Sequence, residues 1–448
     1  MLNYDQLLDH PNMYISALKR LFLFAAFLLI FACSGKRSKP KSILKETHGK
    51  YSLIKGGKVF QIKGAAGYTN LSELRKAGGN SIRIWDTAHI DKIIQDANRN
   101  GISVIVGLPI PESKYLSHYN DTLKVNNEYQ KIKKLVIRLK SNPAILMWCV
   151  GNELTFPNKP SYNNFYKAFN NLVDMIHHVD PEHPVTTTMV NFNKKDIINL
   201  RLRTDIDVIS FNIFSRITEL RDDLKSFAWF WNGPYMITEW AIDGPWEGFA
   251  HTEWDAKIEP TSNLKAKLYL SRYKRYIPVE DPRFLGSFIF YWGQKQETTH
   301  TWFSLFDDKG NKTEAVGMAE EIWTGKPVKY TGPVIQKIRL AGKMAADNII
   351  LEPGQLQLAE ITVHGTPSDF MVNWEIYPED WFKKNNVNNI IKPKLITNLI
   401  TEESGFRVKF KTPQIEGPYR LFAAISDKKG NIATANVPFY IAKFDEKK

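Results

Sequence analysis

Short apolar runs and amphipathic stretches alternate along most of this chain. Val59–Gly64, Ser81–Trp85, Ile102–Leu108, Ala144–Glu153, Val185–Val190, Asp207–Phe214, Tyr235–Glu239 and Phe284–Trp292 read as strands. Their near-continuous hydrophobicity is that of strands covered on both faces, as in a parallel sheet. Helical periodicity fills the intervals, at Asn70–Ala77, His89–Asn100, Val125–Lys140, Tyr162–Val179, Lys194–Leu200, Glu219–Phe227, Asn263–Tyr276 and Lys312–Trp323. Eight strand–helix units predict a (β/α)8 TIM barrel over residues 55–328. After Gly325 the period changes. Val334–Leu340, Leu356–Val363, Phe370–Ile376, Phe406–Phe410, Tyr419–Ser426 and Ala433–Ile441 are short alternating runs, and Asp427-Lys428-Lys429-Gly430-Asn431 is a hairpin turn. They predict a small all-β, Ig-like or fibronectin-like sandwich over residues 333–443.

Two strands end abruptly in acid. The run Ala144–Val150 stops at Gly151-Asn152-Glu153, and Pro234–Thr238 stops at Glu239. In a parallel barrel the C-terminal ends of the strands form the active site. Two glutamates placed there are what glycoside hydrolysis requires, one protonated to donate to the leaving oxygen and one ionised to attack. Glu153, beyond an apolar strand that carries Trp148, fits the acid, and Glu239 fits the nucleophile. Arg83 in strand two can hold Glu239 ionised, and Asn152 can bond a sugar hydroxyl. A single glutamate at a strand end is ordinarily a solvated loop residue, and an arginine inside a strand is ordinarily an ion-pair partner. What raises this set above that reading is Arg on strand two, Asn-Glu on four and Glu on seven together. The long stretch Trp240–Pro260 holds Trp240, Trp246 and Trp254, which either wall a cleft for several sugars or pack beneath the loop. Asp243, Glu247, His251, Glu253 and Asp255 are further polar candidates there, and Gln294–Trp302 is placed to close the other side.

Composition changes this picture little. The net charge of +13 raises nucleic acid and membrane as partners. Eight of the cations crowd into Gly35–Lys58 against the single acid Glu46, and no nucleic-acid motif accompanies them, so the excess reads as a basic tether over residues 34–54. The two cysteines, Cys33 and Cys149, make neither a zinc spacing nor a disulfide framework, and the pattern calls for no metal and no cofactor. Lys19-Arg20 followed by the apolar Leu21–Ala32 and Cys33 reads as an export signal over residues 1–33. Ile30-Phe31-Ala32-Cys33 resembles a bacterial lipoprotein box, with Phe31 bulkier than usual. It implies a lipidated Cys33 and an exported, membrane-anchored protein at the periplasmic or cell-surface side.

Trp148-x-x-Gly151-Asn152-Glu153 with Thr238-Glu239-Trp240 resembles the clan A glycoside hydrolases. Gly64-Ala65-Ala66-Gly67 with Gly79–Trp85 resembles the opening of family 2 barrels. The resemblance implies Glu153 as acid/base, Glu239 as nucleophile, Arg83, Asn152 and Asn212 around them, and a strand-eight aromatic, here Trp292, under the sugar. Trp240 and Trp246 join it as substrate-binding candidates. Family 2 commonly carries Asn-x-Tyr on strand six, where this chain has Asn212-Ile213-Phe214; either another donor replaces that tyrosine, with Tyr68 and Tyr291 the candidates, or the subfamily differs. Barrel plus one Ig-like domain is closer in architecture to glycoside hydrolase family 158. The expected activity is retaining hydrolysis of a polysaccharide or oligosaccharide, of endo-β-1,3-glucanase type. The alternatives are an exo-β-glycosidase or mannosidase, a transglycosylase, and a non-catalytic glycan-binding lipoprotein.

Overall fold

The structure, a computed structural model, describes residues 42–364, 369–379 and 391–443. Eight parallel strands close into a barrel in chain order: Ile62–Ala66, Ser81–Ile84, Ser103–Leu108, Ile145–Val150, Val185–Val190, Val208–Asn212, Tyr235–Trp240 and Phe284–Phe290. The last pairs with the first to complete the ring. Every residue of Ile145–Val150 is buried, because its inner face fills the barrel and its outer face meets helices. The helices follow from equally local causes. Ile90–Asn100 buries Ile90, Ile93, Ile94 and Ala97, one face of a helix, and stops where Gly101 takes φ +64°. Thr122–Leu139 starts at Asp121, whose carboxylate accepts from the amides of Leu123 and Lys124.

The first strand differs from the sequence expectation. It runs Ile62–Ala66, and Lys58–Val59 belongs instead to a hairpin with Ser42–Thr47 and Lys50–Lys55. The expected tether over residues 34–54 is therefore ordered strand from Ser42 onward; residues 34–41, like Cys33 and the export signal, lie outside the described residues. The hairpin stays because it is bonded to the barrel. Ser42 N–H donates to Glu182 O at 3.1 Å, Tyr51 N–H to Pro282 O at 2.8 Å, and Lys55 Nζ to Ser103 Oγ at 2.7 Å. Those partners all sit where strands begin, so the hairpin covers the barrel floor, the end opposite the catalytic one. Leu53, 1% exposed, is its apolar anchor.

The C-terminal part is two four-stranded sheets. One has Ile335–Leu340, Leu356–Val363, Arg407–Lys411 and Ile400–Ser404 in that order; the other has Ile350–Leu351, Ile432–Ile441, Gly417–Asp427 and Phe370–Pro378. A core that includes Trp374, Phe410, Leu421 and Phe439 lies between them. Ile350–Leu351 and Ile400–Ser404 escape the sequence pattern, one being two residues long and the other an edge strand with four exposed residues.

A buried polar network joins sandwich to barrel. Glu259 accepts from Thr299 Oγ1 at 2.6 Å, Thr301 Oγ1 at 2.8 Å and Asn436 Nδ2 at 2.7 Å, and it pairs with Lys265. Arg420 bonds Glu379, Asn436 Oδ1 at 2.6 Å and Lys257 O at 2.8 Å. Asn436 and Arg420 lie on the sandwich strands; Thr299 and Thr301 lie in the stretch after barrel strand eight.

Candidate active site

Strand two, strand four, strand six and strand seven converge on one carboxylate. Arg83 Nη1 pairs with Glu239 Oε1, and Arg83 Nη2 donates to Asn152 Oδ1. Trp85 Nε1 donates to the same Glu239 oxygen at 2.6 Å, and Asn212 Nδ2 at 2.8 Å. A guanidinium, an indole and an amide are donors matched to an acceptor-only carboxylate. All three meet Oε1, and Glu239 is among the residues that line the cleft. Thr238 Oγ1 donates to Asn212 Oδ1 at 2.9 Å, which fixes the amide so that its N–H₂ points at the acids.

Asn212 Nδ2 also lies 2.9 Å from Glu153 Oε1. With 2.8 Å on its other side, the two glutamate oxygens are within about 5.7 Å of each other. Glu153 is aimed there by unusual backbone: Gly151 has φ +74° and Glu153 φ +55°. A Cβ on Gly151 would come within 2.5 Å of Leu154 Cδ1. A non-glycine residue in the left-handed region is the kind of strain that collects at functional sites. Glu153 is open to the cleft but crowded by protein, and this loss of solvent pushes its pKa up. The Glu239 charge adds to the rise, while the Asn212 bond and the Arg83 cation oppose it.

The cavity above these residues measures about 570 Å³. Tyr68, Trp85, Phe214, Trp246, Phe290 and Tyr291 supply its aromatic walls. Its acids are Asp86, Glu153, Glu239, Glu247 and Glu297, and among the described residues its one lining cation is Lys295.

The model of the glycosyl hydrolases family 2 TIM barrel domain matches residues 71–300. This chain belongs to glycosyl hydrolase family 2. Among curated relatives it is similar to the β-glucuronidase of Rattus norvegicus, 31% identical over 118 residues, 25% of this chain and 17% of that one. It is also similar to the β-glucuronidase of Paenibacillus borealis, 25% identical over 194 residues, 41% and 30% of the two chains. The matches thus span less than a third of these relatives' own length. Among solved structures, Faecalibacterium prausnitzii β-glucuronidase superposes with a TM-score of 0.50 at 16% identity, covering 65% of this chain and 53% of that one. This last likeness is one of fold.

In this family 2 barrel, Glu153, Glu239, Arg83, Asn152 and Asn212 meet at one point, and Trp246 lines the cavity above them. Two aromatic expectations are corrected. Trp292 is fully buried away from the cavity, tilted against Trp323 and edge-on to Phe306, because the chain leaves the barrel after Phe290; the strand-eight aromatics of the cleft are Phe290 and Tyr291. Trp240 is also fully buried. It follows Glu239 directly, so the pleat turns it outward, onto Tyr269 and Tyr273 of the helix Ser262–Tyr276. Trp254 packs on Tyr440 of the sandwich, so of the three loop tryptophans only Trp246 reaches the cleft.

The polar candidates of that loop divide similarly. Glu247 lines the cavity but is occupied by Ser215 N–H at 3.0 Å, Ser215 Oγ at 2.6 Å and Gly244 N–H at 2.8 Å, which pins the loop to the end of strand six. Asp243 pairs with Arg272, and His251 faces Asp255 at 3.7 Å. The donor that stands in for the strand-six tyrosine is Trp85, with Tyr291 stacked on it at 5.7 Å. Sequence reasoning missed Trp85, although its place two residues after Arg83 puts both on the inner face of strand two. It also missed Lys295 and Glu297, whose significance depends on contacts outside any regular element.

Proposed function

We propose that this protein is a retaining β-glycoside hydrolase acting on uncharged sugars. The observation that carries the mechanism is the short span between the two carboxyls through Asn212. Retention calls for a separation of about 5–5.5 Å, whereas inversion, which must admit a water, calls for about 6.5–9.5 Å. An oxygen separation of at most about 5.7 Å suits the first. Glu153, its pKa raised by its surroundings, delivers its proton to the leaving oxygen as Glu239 attacks the anomeric carbon. Glu153, now a base, then takes a proton from water, which releases the sugar from Glu239. Asn212, bonded to both acids, keeps them in register through the two steps.

The relatives are β-glucuronidases by name, but a glucuronide brings a carboxylate into a cavity lined by five acids and one lysine. That balance favours a neutral sugar. Within neutral substrates, barrel-plus-sandwich architecture makes β-1,3-glucan the first polymer to test. The experiment is the product profile on β-1,3-, β-1,4- and mixed-linkage glucans, mannan and the matching aryl β-glycosides. A ladder of short oligosaccharides from β-1,3-glucan supports the endo-glucanase reading, monosaccharide alone an exo-acting enzyme, and products longer than the starting oligosaccharide a transglycosylase. Glu239→Gln abolishes turnover and preserves binding. Failure of the wild type to release any neutral sugar refutes the proposal and favours a glycan-binding protein.

We further infer a lipid anchor at Cys33, supported by the apolar stretch and the Ile30–Cys33 box before it. Ser42, nine residues after Cys33, docks on the barrel floor, opposite the cleft. Metabolic labelling with a palmitate analogue tests this, and a wild type that takes up no label refutes it.

A further inference from the structure

The lysine in the cleft is not a free charge. Lys295 Nζ lies 2.5 Å from Glu297 Oε2 and 4.9 Å from the centre of the Phe290 ring. Glu297 is 4% exposed, while the Lys295 side chain keeps about a third of its surface. Both line the cavity that holds Glu153 and Glu239. A buried carboxyl bonded to Lys295, the one lining cation among the described residues, cancels a charge that would attract an anion.

The pair is also held in place. Glu297 and Thr299 exchange backbone bonds of 3.0 and 2.7 Å, with Thr298 between them at φ +63°. Lys295 N–H donates to Ser304 Oγ at 2.9 Å. Thr299 Oγ1 reaches Glu259, which also accepts from Asn436 of the sandwich. The sandwich thus braces, through Glu259, the turn that presents Glu297 to the cleft.

We propose that Glu297 is a specificity-determining residue, which neutralises Lys295 and so makes the sugar site reject glycosides that carry a carboxylate. The proposal deepens the neutral-sugar reading above and rests on it. Removing the Glu297 charge leaves Lys295 unpaired and turns the pair from neutral to attractive for an anion. One unit charge at cleft distances changes anion binding by roughly tenfold or more. Removing Lys295 instead leaves a bare carboxyl and must act in the opposite direction.

Acid gives a second readout. Burial raises the Glu297 pKa and outweighs the pull of Lys295, and the rise is larger when Glu153 is ionised. As pH falls, Glu297 takes up a proton and ceases to cancel Lys295. Glu153, Glu239, Asp86, Glu247 and the buried Arg83 are the other charged groups around this cleft, and all are shared by the variants compared.

The test is calorimetric binding of two sugar-like probes, the δ-lactams of gluconic acid and of glucaric acid, to the full-length protein. The wild type is expected to prefer the neutral lactam. Glu297→Gln is expected to narrow that preference roughly tenfold, and Lys295→Met to widen it; damage to the fold does not move two members of one pair in opposite directions. Acidification narrows the wild-type preference more than that of Glu297→Gln, in which only the shared acids titrate. A ratio unchanged in Glu297→Gln, shifts of the same sign in both variants, a wild-type preference for the anion, or no binding of either lactam overturns the proposal. Neutral-lactam preference in a wild type that cleaves no glycoside overturns the hydrolase reading and leaves this one standing.

Discussion

Trp85→Phe isolates the indole that takes the place of the strand-six tyrosine. The substitution keeps an aromatic ring against Tyr291 and removes the donor 2.6 Å from Glu239 Oε1. A hydrogen bond to a charged group contributes about 1.5–3 kcal/mol, which is ten- to a hundredfold in the rate of a step that depends on it. The two chemical steps depend on it in opposite senses. In glycosylation Glu239 gives up negative charge as it bonds carbon, so the indole bond weakens on the way to the transition state. In deglycosylation Glu239 recovers that charge as it leaves, so the bond strengthens. Arg83 and Asn212 still donate to Oε1 and hold the side chain in place. Trp85→Phe should therefore slow deglycosylation by about ten- to a hundredfold and leave glycosylation much less affected. With a dinitrophenyl β-glycoside, the stopped-flow trace should show a burst of one dinitrophenolate per enzyme. The steady-state kcat and KM should fall together while kcat/KM is nearly kept. A loss of kcat/KM as large as the loss of kcat, with no burst, would refute the reasoning and make the indole a mere support for the nucleophile's position.

The remaining expectations concern the acid, the junction and the floor. Glu153→Gln should lose about 10²–10⁴-fold on substrates with poor leaving groups and far less on dinitrophenyl glycosides, which need no proton. Because the Glu153 pKa is raised and its protonated form is the active one, the alkaline limb of kcat/KM should lie above the ordinary carboxylate range and vanish in this variant; a limb unchanged by the substitution would assign it elsewhere. Lys265→Met leaves Glu259 buried without its cation and should cost about 3–5 kcal/mol in denaturant unfolding. Burial pushes the Glu259 pKa up, but Lys265 and the hydroxyl donors outweigh it and hold the value below the ordinary one. Its contribution to stability is therefore full above the ordinary glutamate range and fades as pH falls through the depressed value, so wild type and variant should converge in acid melts. A chain begun at residue 60 loses the buried Leu53, about 1.5–3 kcal/mol, together with the bonds to Glu182 and Pro282, and should melt lower than one begun at residue 42.

Much of the barrel is legible in the sequence because each element repeats one physical demand. The inner and outer faces of Ile145–Val150 both require apolar side chains, and Ile90–Asn100 requires them on a single stripe. A run that breaks into Gly-Asn-Glu violates that demand, and the violation marks the site. The same rule, carried one residue further, would have placed Trp240: neighbours on a strand face opposite sides, so a tryptophan beside an inward Glu239 must face the helices. It would also have found Trp85, which shares the inner face with Arg83. The floor hairpin was concealed by its lysines. Lys45, Lys50 and Lys58 are exposed, and their charge reads as a tether although Leu53 between them is buried.

Lys295 and Glu297 are a different case, since no periodicity governs them. They are two positions apart, and their pairing is local, but its exclusion from water is not. The turn is fastened by Thr299 to Glu259, and Glu259 is fastened to Asn436. Charge selection in the cleft therefore depends on a residue of the sandwich, a domain with no catalytic cluster of its own in the sequence. This gives the sandwich a role that bracing in general does not: Asn436→Leu should loosen the 295–304 turn and weaken the discrimination between neutral and acidic sugars before it lowers the rate on the neutral one. The pair of measurements separates a brace for the barrel from a brace for this turn. A fall in neutral-sugar turnover with the selectivity ratio unchanged would place the sandwich's contribution in the barrel as a whole.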